Sequence, residues 1–76
     1  MSPTNEVLLE LKHARVKFPR FNSAHEGFAV LKEEVDELWD EVRVNQSDPH
    51  RKERMRAEAI QVAAMALRFI EDVCDV

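Results

Sequence analysis

A chain of 76 residues with one cysteine has no disulfide framework and sits near the lower size limit for a self-sufficient core. A net charge of −4 argues against indiscriminate binding to nucleic acid, and 45% hydrophobic residues argue against disorder. One glycine, no tyrosine, no signal-like apolar leader and no stretch near the roughly 18 apolar residues of a membrane span leave one expectation: a single all-α domain over residues 1–76, cytoplasmic and off the membrane.

Ser2-Pro3-Thr4-Asn5 offers capping groups and a proline suited to a first turn, and Val7, Leu8, Leu11 and Phe18 follow at helical spacing. Helix one is predicted over about 4–18, stopped by Pro19. Ser23-Ala24-His25-Glu26 fits a capping box, with Ser23 as N-cap and Glu26 reaching back to it. Helix two is predicted over about 24–44. Its residues Phe28, Leu31, Val35, Leu38, Trp39 and Val42 form one apolar stripe; Glu33, Glu37, Asp40 and Glu41 lie opposite, with Glu34 at the border. Asp48 is the expected cap of helix three, with Pro49 at its first position, and that helix is predicted over about 49–73.

Helix three is apolar all the way round from Ala57 to Ile70. Such a helix is buried on every side, and two short neighbours can scarcely cover it. The expected architecture is therefore a helical bundle completed by homo-oligomerisation, a dimer or a tetramer. Against this background Arg54, Glu58, Gln61, Arg68 and Asp72 share one stripe of helix three. Two readings of Glu58 and Gln61 stand side by side. In one, Glu58 pairs with Arg54 or another arginine and Gln61 hydrogen-bonds across the bundle. In the other, both face Glu34 and Glu37 around a divalent metal, because a carboxylate among apolar positions needs a cation or donors to offset its lost hydration.

Glu34-Val-Asp-Glu37 followed by Glu58-Ala-Ile-Gln61 resembles the E-x-x-E … E-x-x-D signature of the MazG-like, all-α nucleoside triphosphate pyrophosphohydrolases. Leu38 after the second glutamate, the hydrophobic run after the second pair and the 20 residues between Glu37 and Glu58 match as well. The wording of "HEGFAVLKEEVDELWDEV" and "EAIQVAAMALRFIEDV" is similar to small bacterial or phage-type members, over about residues 21–73.

The resemblance implies Mg²⁺ (with Mn²⁺ as a substitute) bound by Glu34, Glu37 and Glu58, and hydrolysis of a nucleoside triphosphate to monophosphate and pyrophosphate. Residues three apart on a helix are surface neighbours, so Glu34 and Glu37 can approach one cation together. Gln61 departs from the pattern, which has aspartate there; an amide supplies one oxygen or holds a water, but brings no charge and cannot act as a base. Glu33 or Glu37 is the candidate to orient the attacking water. Arg54, Lys32 and Arg68 are the candidates to bind substrate phosphates, and Phe21, Phe28 and Trp39 to face the base, although helical spacing explains Phe28 and Trp39 as core. Glu10-Leu-Lys-His13 has the E-x-x-H spacing of a di-iron site but no second copy, so it is set aside. The competing expectation is a non-catalytic helical dimer that lost a ligand at Gln61. A DNA-binding helix-turn-helix fits poorly, because helix three is too apolar for a groove and helix two too acidic to approach phosphates, and no DNA or RNA polymer is expected as a partner.

Overall fold

The computed structural model describes residues 1–76 and contains helices only: α1 (Pro3–Lys17), α2 (Ala24–Arg43) and α3 (Arg51–Phe69), with a closing π-helical turn at Ile70–Cys74. The all-α expectation holds. Ser2 caps α1 by accepting from the Asn5 amide, with Pro3 in the first turn. Ser23 caps α2 by accepting from the Glu26 amide, but the Glu26 carboxylate accepts from Asn22, not from Ser23. The capping box is thus shifted back by one residue on its return arm.

α3 begins later than the sequence suggests. Its N-cap is His50, not Asp48. Asp48 still makes the bond expected of a cap followed by Pro49, accepting from the His50 amide at 2.8 Å, and its other oxygen accepts from Arg54 at 2.7 Å. Residues 48–50 are drawn into a turn. At the far end the Ile70 amide is shared between the carbonyls of Ala66 and Leu67, and the Asp75 amide reaches Ile70 across the wider turn.

The chain runs up, down and up. α2 is antiparallel to α3, as Gly27 lies beside Phe69 while Glu41 reaches Arg54. α1 runs parallel to α3, with Glu6 on Arg56 and Arg15 on Asp72. α3 is the shared element; α1 and α2 scarcely meet. Leu11, Ala14, Ala64 and Met65 form the core, with Val7, Val30, Leu31 and Leu67 packed around them. Only 8 of 76 residues are buried, so α3 is not enclosed by its own chain. Phe28 and Trp39, expected as core, are exposed, whereas Phe21 is buried.

Gly27 makes the α2–α3 approach possible. A Cβ at this position would stand 2.8 Å from the Phe69 ring and 3.0 Å from that of Phe21.

Candidate metal centre

α3 does not lie on the centre of the α2 apolar stripe. It packs along the border, on the line Gly27, Leu31, Glu34, Leu38 and Glu41. Its own line is Arg54, Glu58, Gln61, Met65 and Phe69, and the antiparallel register sets Glu58 level with Glu37 and Gln61 level with Glu34. One consequence is that carboxylates are carried into the helix–helix seam. The other is that Phe28 and Trp39 are carried out of it.

One carboxylate oxygen from each of Glu34, Glu37 and Glu58 lies within 4.8 Å of the other two. Glu34 and Glu58 are half-buried and Glu37 is exposed. Burial is the largest influence pushing the Glu34 carboxyl up to about 7, followed by the charge of Glu37, a hydrogen bond with it, and the charges of Glu58 and Glu33. Glu58 is also raised, first by burial and then by Glu37 and Glu41. Its Oε2 is enclosed and has no hydrogen-bond partner. Unpartnered carboxylate oxygens in a seam are a standing cost unless a cation meets them.

The donor set fits a hard divalent ion. All donors are oxygens, the type such an ion prefers, and Glu34, Glu37 and Glu58 are the residues that would hold it. Gln61 stands beside the cluster and adds a neutral oxygen or a donor. Glu33 is exposed at the rim.

The ion pair envisaged between Glu58 and Arg54 does not form. Arg54 instead holds Glu41 and Asp48, both at 2.7 Å. Arg68 is 4% exposed, donates to the Pro19 carbonyl at 2.6 Å and stacks 4.0 Å from the centre of the Phe21 ring. Lys32 pairs with Asp36 at 2.9 Å; two residues from Glu34, it projects from the opposite side of α2.

The gap between α1 and α2 is a solvent-open cavity of about 590 Å³, floored by Gln61, Met65 and Arg68 and reaching Glu33 and Glu34. Its α1 wall includes Glu10 and His13, set aside above as an isolated E-x-x-H, and Lys17, which the sequence did not single out. Lys17 forms no ion pair there. No sequence signal marks Lys17, because the wall exists only once α1 and α2 diverge over α3.

A second cluster also escaped the sequence reading. The side chain of Asp72 is completely enclosed; it accepts from Arg15 at 3.0 Å and from the Phe21 amide at 3.1 Å, with Arg20 at 3.5 Å and Arg68 at 3.8 Å. Burial pushes its carboxyl up, but the Phe21 amide and the arginines outweigh that and hold it below the usual carboxylate range. The i, i+4 spacing of Arg68 and Asp72 was the one available hint.

Compared with protein-family models, curated proteins and solved structures, the chain matches none of them.

Proposed function

We propose that this protein is a Mg²⁺-dependent nucleoside triphosphate pyrophosphohydrolase of the MazG-like kind, a cytoplasmic enzyme acting as a homodimer or tetramer on nucleoside or deoxynucleoside triphosphates. The observation that carries the reading is the convergence of Glu34, Glu37 and Glu58 without any cation of the protein's own, one oxygen being enclosed and unpartnered. It agrees with the resemblance of the two motifs to that family.

Glu34, Glu37 and Glu58 hold the ion, with Mn²⁺ able to replace Mg²⁺. When bound, the ion supplies Lewis acidity and neutralises triphosphate charge. Glu37 or Glu33 orients a water and accepts its proton as a P–O bond forms to the water oxygen. The bridge between the α- and β-phosphates breaks, and pyrophosphate leaves from the monophosphate. The cavity beside Glu34 has the size range of small-molecule sites and takes the rest of the nucleotide. Lys17 supplies positive charge on its wall, since Arg54 and Arg68 are already engaged by carboxylates and Lys32 faces away.

Those engaged arginines, together with the neutral Gln61, favour the second reading, a non-catalytic helical oligomer. Pyrophosphate release from a panel of nucleotides, with and without Mg²⁺ or Mn²⁺, separates the two. The enzyme reading expects metal-dependent turnover, abolished by Glu34→Gln and by Glu37→Gln with the helical signal unchanged. No turnover on any nucleotide, with no rise in melting temperature on adding metal, establishes the binding module instead.

A further inference from the structure

Gln61 lies between the side of α3 that faces α1, marked by Arg56 and Ala64, and the line that faces α2, marked by Glu58 and Phe69. On α2 it is level with Glu34. On α1 it is met by Glu10: Glu6 reaches Arg56, and one helical turn further along both parallel helices come Glu10 and the pair Ile60–Gln61. Two cavities follow one another along this flank of α1. One is the hollow of about 590 Å³ that reaches Glu33 and Glu34; the other, of about 370 Å³, lies beside Glu6 and Arg56. Glu10 and Gln61 are the two residues that line both, so they stand at the divide.

Glu10 is also the acid of α1 without a firm partner. Glu6 is bound by Arg56, and across the larger cavity Glu26 accepts twice from Asn22. Glu10 has only the His13 imidazole, at 4.0 Å, and its side chain stays 33% exposed. It stands outside the Glu34–Glu37–Glu58 triad, so it is not a direct ligand. A hard divalent ion keeps several of its waters, and carboxylates beyond the ligands hold such waters in place by accepting from them. On the α1 side of the triad the groups able to do this are Gln61 and Glu10, and only Glu10 carries charge.

We propose that Glu10 is a positioning carboxylate of the metal centre. It accepts hydrogen bonds from the water shell of the ion beside Gln61, and it supplies from α1 the negative charge that position 61 lacks. The proposal rests on the metal-dependent reading put forward above and adds to it a group that belongs to neither acidic motif.

Calorimetric titration of the whole chain with Mn²⁺ tests it, with circular dichroism as the check that each variant is folded. Glu10→Gln should weaken Mn²⁺ binding by about 10-fold. Glu53→Gln, which removes an equal charge from the exposed start of α3, should leave it nearly unchanged. The cost of Glu10→Gln should shrink in a Gln61→Asp background, because position 61 then carries the charge itself. A wild type that binds Mn²⁺ no better than Glu10→Gln does overturns the role of Glu10 and leaves the triad standing. Equal losses in Glu10→Gln and Glu53→Gln reduce the effect to overall charge and overturn it too, as does an undiminished cost in the Gln61→Asp background. A wild type that binds no Mn²⁺ overturns the metal centre and the proposal together.

Discussion

Two sites built on carboxylates lie along α3 and the turn that follows it, and their chemistry is opposite. Around Asp72 an enclosed carboxylate is met by Arg15, Arg20 and Arg68 and by a backbone amide. Around Glu58, carboxylates crowd together and no basic side chain answers them; the nearby Arg54 is turned to Glu41 and Asp48 instead. A protein that saturates one buried acid with three guanidinium groups has the means to neutralise another. Asp72 is therefore a structural tie, linking the loop after α1 to the end of α3, whereas the glutamate cluster has no such tie, which is why we propose a cation from outside for it.

The contrast can be broken from either side. Asp72→Asn should cost the most, about 3–5 kcal/mol in a urea melt, because it leaves Arg68 charged, buried and short of its partner. Gly27→Ala comes next. The helix gains from losing a glycine, but a Cβ 2.8 Å from the Phe69 ring must displace it, giving a net loss of about 1–3 kcal/mol. Loss of the metal-dependent rise in melting temperature in that variant would also show that the Gly27 contact sets the register of the carboxylates.

Glu34→Gln should act in the opposite direction to Asp72→Asn. Without metal it should stabilise the chain by about 1 kcal/mol, the relieved repulsion being partly screened by solvent. A destabilised Glu34→Gln would contradict the strained-cluster account. The pH profile sharpens this further. With a folded value near 7 against an ordinary 4.5, Glu34 keeps a proton that the unfolded chain has already lost. Metal-free stability should therefore fall as the pH rises from about 4.5 to 7. Asp72, held below its ordinary 3.8, has the opposite sign, contributing stability above that value that is lost on further acidification. Thermal melts should place the metal-free optimum in mild acid, and Mg²⁺ should move it toward neutrality by competing with the Glu34 proton. The smallest effect belongs to Arg54→Ala, a slight loss of stability, because its pairs with Glu41 and Asp48 are largely solvated.

The three helices were readable because Pro3, Ser23 and Pro19 punctuate strong periodic patterns. Asp48 does accept from the amide two residues on, as a cap would, but the regular helix starts only at Arg51, after a turn closed from the Arg51 amide to the Asp48 carbonyl. The proximity of Glu34, Glu37 and Glu58 is one of two arrangements the spacing leaves open, and the resemblance is what favours it. Phe28 and Trp39 are exposed despite their core-like spacing, since a stripe shows which face is apolar but not where along its edge the next helix settles. α3 chose the border where Glu34 sits. The Asp72 tie joins residues about 50 positions apart in the chain, and Arg15 and Arg20 read as ordinary surface cations until the fold brings them there.

Calorimetric titration of the metal-free protein with Mn²⁺ and Mg²⁺ tests the central claim most directly. Saturable binding is predicted for the wild type, lost in Glu34→Gln and Glu58→Gln and retained in Arg54→Ala. A folded wild type that binds neither ion, or binding that passes unchanged through both glutamate variants, would contradict it.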